Sequence, residues 1–360
     1  MNQDFHYNGT YCAAMLAGFE RKEAELIAWA AQMVDEYTMD MAKEQGIQTD
    51  GKTITCESLG DNASDDMHWL STSTNPTLQK VRNIWMPFHF LPGNLDMKCE
   101  YKGEKSWGAY KFNDRDEQDF RCMCIPNSEL AKNMINDTKD NYTDATEAVK
   151  HELLYLIGIR MHVLADTWAH QYFVGSPSYW VNEVSKLDKR VKKEVSINEN
   201  RSTIGISNYS ILYLGHGRAG HYPDYGFLQF EYNPRFADPR NMIHRNNQVD
   251  FFEAFFQMVE AMQCIKTGQE FTFKTYNNIQ GNMPRNITKQ IQDEIQKVLN
   301  TQQLDQTPAW VEFMNQVIHK SEPVVLPIFD KKSNDFSQFD NEAGKQRNLV
   351  RDYLNKNQIY

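Results

Sequence analysis

One stretch limits the possible folds more than any other. Between Thr143 and Gln171, the residues Leu153, Leu154, Ile157, Met161, Leu164 and Trp168 recur at three- and four-residue spacing. That period predicts a long amphipathic helix. Thr143, Glu147 and Glu152 supply an early cap and acids that match the helix dipole, and Gly175 and Pro177 close the segment. Inside this apolar run stands His162-x-x-x-Asp166-x-x-x-His170. At about 100° per residue, each step of four advances a side chain by about 40°. The three groups therefore share an arc of about 80° and climb about 12 Å along the axis. The outer pair is too far apart to share one ion, whereas a metal cluster uses all three with the carboxylate bridging. Burying an unpaired carboxylate costs on the order of several kcal/mol, which a cation offsets directly. Imidazole nitrogen with carboxylate oxygen suits zinc. A hydrogen-bonded His–Asp–His cluster without metal is the competing reading.

Helical patterns also occupy roughly 5–18, 21–45, 249–267, 285–300, 308–320 and 340–356. The stretches 50–60 and 97–125 are rich in Gly, Lys, Tyr, Thr and Cys and predict short strands or an irregular insertion. The expected fold is all-α with small β-rich insertions. A helical catalytic domain is expected over 1–270, interrupted at about 97–125, with a helical extension over 271–360 packed on it.

A formal charge of −10 argues against a general nucleic-acid binder. It leaves enzymes of phosphate esters open, because bound metal supplies positive charge locally. No run reaches the roughly 18 apolar residues of a membrane span. The opening Met-Asn-Gln-Asp-Phe-His-Tyr has no basic segment followed by an apolar one. The expectation is a cytoplasmic protein, one exported without a standard signal, or a trimmed chain. The six cysteines, Cys12, Cys56, Cys99, Cys122, Cys124 and Cys264, are scattered and read as free thiols. A bridge from Cys99 to Cys122 or Cys124 is the alternative.

Further nitrogen and oxygen donors stand in unusual settings. Asp35 follows Ala-Trp-Ala-Ala-Gln-Met-Val, so its helix face points inward. His89 lies in Trp-Met-Pro-Phe-His-Phe-Leu-Pro, enclosed by aromatics and by prolines that restrict the backbone. His216 lies in Leu-Gly-His-Gly, where flanking glycines allow close approach. Asp224 follows in His-Tyr-Pro-Asp-Tyr, and His6 is framed by Phe5 and Tyr7. His221 rivals His216, His68 reads as a loop residue, and His151 is too far along its helix to join His162.

The segment His-Val-Leu-Ala-Asp-Thr-Trp-Ala-His resembles the central helix motif of the zinc-dependent phospholipase C and single-strand nuclease superfamily. With Asp-Phe-His-Tyr, Trp-Met-Pro-Phe-His-Phe-Leu-Pro and Gly-His-Gly, it is similar to a bacterial and fungal group of zinc metallophospholipases C. The resemblance covers residues 1–230 as separated motifs. It implies an all-α domain with two or three zinc ions. One ion would take Asp35, His89, His162 and a bridging Asp166; a second His170, His216 and Asp224; a third His6 and Asp166. This chain departs from the pattern in three ways. Met1 stands where that superfamily has a free N-terminal tryptophan, His170 follows Asp166 by four residues rather than six, and Asp224 follows His216 by eight.

The function the resemblance implies is phosphodiester hydrolysis, foremost phospholipase C action on phosphatidylcholine-type phospholipids through a zinc-activated water. Asp35 and Asp166 are then the catalytic carboxylates. Trp85, Phe88, Phe90, Trp168 and Tyr172 either receive a choline group by cation–π contact or pack the core. Transient contact with a membrane surface is expected and stable nucleic-acid binding is not. The rivals are a nuclease or nucleotidase on the same scaffold, and a metal-stabilised binding protein without turnover.

Overall fold

A computed structural model describes residues 1–47, 53–56, 76–103, 111–189, 213–276, 281–319, 328–332 and 334–359. The protein is mainly helical, and its helices gather around one buried member, α7 (Glu147–Ala169). From Leu153 to Thr167 every side chain of α7 is buried. A helix that is apolar all round has no solvent face and must be surrounded. The surrounding helices are α2 (Arg21–Met33), α6 (Glu129–Thr143), α9 (Asn247–Thr267) and α12 (Phe336–Lys356).

The other helices are α1 (Thr10–Leu16), α3 (Met39–Glu44), α4 (Pro76–Phe88), α5 (Asp114–Arg121), α8 (Tyr179–Asn182), α10 (Lys289–Leu299) and α11 (Thr307–Phe313). A π-helical turn over Asp4–Gly9 precedes α1, and another over Met314–Ile318 follows α11. The strands β1 (Ser185–Lys189), β2 (Gln229–Asn233) and β3 (Ile243–Asn246) form an antiparallel sheet in the order β1-β2-β3.

Several boundaries differ from those read off the sequence. Thr143 ends α6 instead of opening α7, because its hydroxyl donates back to the Lys139 carbonyl 2.8 Å away and cannot cap a following helix. The helices over 129–143 and 76–88 are additional to those the sequence pattern predicts; α4 carries Pro87 inside its last turn. The predicted helix over 21–45 is two helices. A tight turn at 34–36 follows Met33, and the Thr38 side chain then caps α3 by accepting from Met41 N. Within 97–125 the described residues hold a helix, α5, capped reciprocally by Asn113 and Asp116, and no strand of the sheet. Residues 104–110, most of the predicted β-rich stretch at 50–60, and His68 lie outside the described residues. None of the six cysteines is in a disulfide.

Two contacts tie the C-terminal third to segments that carry candidate donors. Asp4 accepts from Gln306 N (2.7 Å) and from the Thr307 hydroxyl (2.8 Å), which anchors the turn bearing His6. Gln346 of α12 donates to the Pro87 carbonyl at 3.0 Å, two residues before His89.

Candidate metal centre

The centre begins with the approach of α2 to α7. Gly158 faces Ile27, Ala30 and Ala31 so closely that an added Cβ would stand 2.3 Å from the Ile27 carbonyl oxygen. Small residues on both helices bring the backbones together, and the Ala31 carbonyl comes within 2.8 Å of His162 Nδ1. A carbonyl can only accept, so this ring nitrogen carries the proton. Nε2 is left with its lone pair aimed away from α2.

The same arrangement recurs at three more histidines. His89 offers Nε2 to the Thr55 carbonyl (2.9 Å), His170 offers Nδ1 to the His89 carbonyl (2.8 Å), and His216 offers Nδ1 to the Gly220 carbonyl (2.8 Å). Each contact fixes one tautomer and one ring plane, as the outer partners of metal-binding histidines do. The free nitrogens converge. His89 Nδ1 and His162 Nε2 lie 3.3 Å apart, and Asp35 Oδ1 is 3.7 Å from each. With the protons committed to carbonyls, two lone pairs face each other at this distance, which favours a cation between them. His170 Nε2 and His216 Nε2 each lie 3.5 Å from Asp224 Oδ1.

Asp166 links these groups. Its Oδ2 lies 3.1 Å from His162 Nε2 and 3.5 Å from both His89 Nδ1 and His170 Nδ1. Its Oδ1 lies 3.2 Å from His6 Nε2 and 2.7 Å from the amino group of Met1. The π-helical turn over Asp4–Gly9 points the His6 ring inward, where it stacks on His162 at 3.7 Å. Both ring nitrogens of His6, His170 Nε2 and Asp166 Oδ2 are buried without a hydrogen-bond partner. Such orphans are rare in folded proteins and point to a group that satisfies them.

Three sets of residues can therefore hold metal ions: Asp35, His89 and His162; His170, His216 and Asp224; and His6, His162 and Asp166. Within each set the donor atoms lie within 4.8 Å of one another. They overlap the sets the resemblance implied, but Asp166 falls outside the first and the third includes His162. Asp35 stands in the turn after α2, off the helix, and its side chain is 32% exposed, so the centre opens to solvent there.

Charge is unevenly held. Burial works against ionising Asp166, but His170, the Met1 ammonium, His162 and His6 outweigh it and hold its carboxyl well below the usual range. Asp224 behaves likewise, with burial opposed by His216, His170 and His221. Burial pushes His170 down to about 4, despite the attraction of Asp166, and drives His6 well below its ordinary value, helped by His162. Both imidazoles are thus neutral at pH 7, the form that binds a metal.

The structure adds participants that sequence did not reveal. The Met1 nitrogen, 2.7 Å from Asp166 Oδ1, sits inside the cluster. His221 belongs to none of the three donor sets. Its Nδ1 holds Asp224 Oδ2 at 2.8 Å while the side chain is 59% exposed, so it orients that carboxylate. Arg245 donates to the carbonyls of Trp168 (2.9 Å), Ala169 (3.1 Å) and Gln171 (3.3 Å), closing the end of α7 where His170 leaves the helix. No local motif marks these partners, since all but His221 come from distant segments. Among the aromatics, Phe88 is fully buried in the core, Phe90 stacks on His170 at 4.7 Å, and Trp85, half-buried, lies 5.0 Å from His89.

Fold and site together define a mainly helical protein with linked, buried histidine–aspartate pockets able to hold metal ions. The chain belongs to the family of unknown function DUF6765, whose model matches residues 1–358. No curated protein and no solved structure matches it. No described helix is long and apolar enough to cross a membrane.

Proposed function

We propose that this protein is a zinc-dependent phosphodiester hydrolase of the phospholipase C type, acting on phosphatidylcholine-like glycerophospholipids. The observation that carries this reading is the set of four imidazoles, each with one nitrogen bound to a backbone carbonyl and the other turned toward a carboxylate, Asp35 and Asp166 for His89 and His162, Asp224 for His170 and His216. Nitrogen and oxygen donors at this density suit zinc over calcium or magnesium, which take oxygen. Asp35, His89, His162 and Asp166 would hold one ion, His170, His216 and Asp224 another, and His6 with Asp166 a third. When bound, zinc supplies Lewis acidity, which ionises water near neutral pH and offsets phosphoryl charge.

The chain's own residues supply the rest. Asp35, whose side chain is the most open carboxylate of the centre, would ligate one ion and orient the attacking water. Asp166, fully buried and held ionised, keeps the pockets in fixed register. Half-buried Trp85 beside His89 offers a ring face to a quaternary ammonium headgroup. Metal content by elemental analysis, with hydrolysis of phosphatidylcholine and of single-stranded DNA assayed side by side, tests the reading. Zinc with phosphatidylcholine turnover supports it. Turnover of DNA alone reassigns the substrate, and stoichiometric zinc with no phosphoester cleaved makes the centre structural.

A further inference from the structure

We propose that Gln346 is a positioning residue for the metal centre, acting on two of its pockets at once through the backbone of His89. This role rests on the metal-holding part of the function proposed above and is independent of what the centre cleaves. Gln346 lies on α12, in the C-terminal third of the chain, and is fully buried. Its side-chain oxygen accepts from Arg160 Nε at 3.1 Å, and its side-chain nitrogen donates to the Pro87 carbonyl at 3.0 Å. These partners leave the amide one orientation, because a guanidinium only donates and a carbonyl only accepts.

Both partners are themselves constrained. Arg160 is 1% exposed, and its Nη1 meets the Met134 carbonyl (2.9 Å), Asp137 Oδ2 (2.6 Å) and the Thr138 hydroxyl (2.7 Å). The Pro87 carbonyl belongs to the last turn of α4, where carbonyls have no intrahelical amide to accept. The amides of His89 and Phe90 both turn to the Trp85 carbonyl, at 3.0 and 2.8 Å, and Gln346 supplies the donor that the helix end lacks. Gln346 thus bridges α7, which carries Arg160 and His162, to the end of α4, which leads into His89. His89 then serves two pockets with different atoms. Its ring Nδ1 faces Asp35 and His162 Nε2, whereas its carbonyl accepts from His170 Nδ1 at 2.8 Å and fixes the tautomer of a donor in the His170–His216–Asp224 set. A shift of the backbone at 87–89 therefore moves a donor of one pocket and the tautomer-setting carbonyl of the other.

Cobalt(II) titration of the full chain, followed by visible absorption, reads both affinity and ligand geometry. Gln346→Glu keeps an acceptor for Arg160 but sets an oxygen against the Pro87 carbonyl, and Gln346→Met fills the space while bonding to neither partner. Val350→Ala, one turn along α12 at a position 1% exposed, controls for destabilisation alone. Both Gln346 variants should bind two cobalt equivalents about tenfold or more weakly, with an altered absorption band, as loss of an outer partner of metal-binding histidines does. Val350→Ala should keep wild-type affinity and band at an equal or lower metal-free melting temperature. If the buried glutamate prevents folding, Gln346→Met decides. Wild-type affinity in a folded Gln346 variant, or a loss no larger than that of Val350→Ala, makes Gln346 a packing residue and overturns the proposal. Weakening of one equivalent alone overturns the route through the His89 carbonyl to His170. A wild-type chain that takes up no cobalt overturns the metal centre itself, a result distinct from metal bound equally by wild type and variants.

Discussion

Gly158 and Ile27 are packed so closely that a methyl group at position 158 has no room: its Cβ would lie 2.3 Å from the Ile27 carbonyl oxygen. Gly158→Ala must therefore push α7 from α2 and carry the Ala31 carbonyl away from His162. Overpacking of this kind costs about 1–3 kcal/mol. The expected result is a lower denaturant midpoint together with weaker metal binding, measured on the same sample. A loss of stability with metal affinity intact would separate the helix contact from the orientation of His162.

Metal removal should destabilise the protein. Buried donors whose lone pairs face one another lose the cation that offsets their repulsion, and a metal bound only by the folded state adds stability by mass action. At free metal a hundredfold above the dissociation constant this is about 2.7 kcal/mol. Chelation should lower the melting temperature and zinc restore it. Equal melting curves with and without chelator would count against all three donor sets.

Asp166→Asn removes the shared carboxylate charge and half of its lone-pair capacity at nearly constant volume. Because Asp166 faces His6, His89, His162 and His170, the variant should lose more than one metal equivalent and, if the proposed reaction is its function, most of the phosphodiester hydrolysis. Near wild-type metal content would show that the carboxylate does not join the pockets.

His216 and His221 are five residues apart and should behave differently. His216→Ala removes a donor and should cost the metal of the His170–His216–Asp224 set. His221→Ala removes only the group that orients Asp224 and should lower metal affinity by about 10–100-fold while stoichiometry at saturating metal is kept. Titration of both variants distinguishes them, and the opposite pattern would make His221 the donor.

The alkaline limb of stability should be steep. Burial pushes the phenols of Tyr11 and Tyr142 up to about 12, and pushes the Cys122 thiol up to about 12. In each case the folded chain keeps a proton that the unfolded chain releases near its ordinary value of 10.0 for tyrosine or 9.0 for cysteine. Their contribution is whole below those values and is lost as pH rises toward 12. Urea midpoints at pH 8, 10 and 11 should fall progressively, and Tyr142→Phe should flatten the decline. A midpoint independent of pH over that range would contradict the burial of these groups.

The legible part of the protein was the part carried by local periodicity. The helical character of the chain and the placement of His162 and Asp166 on one stripe follow from residue spacing, which acts over a turn or two. The segments holding His6, Asp35, His89, His216 and Asp224 stood out because each polar group sits among aromatics, glycines or prolines that a surface residue does not need. Boundaries were less legible. Thr143 has the composition of a cap, but its hydroxyl is taken by Lys139, and the helix over 76–88 was obscured by its internal proline.

By itself, then, the sequence determined the mainly helical fold and the inventory of imidazoles and carboxylates, because both depend on neighbours along the chain. Only the tertiary structure decided which nitrogen of each ring is free. That choice is made by the carbonyls of Ala31, Thr55, His89 and Gly220, by the approach Gly158 permits, and by the Met1 amine beside Asp166. For the central helix these partners are up to 165 residues away in the chain. A backbone carbonyl carries no residue identity, so its part in the centre exists only once the helices have packed.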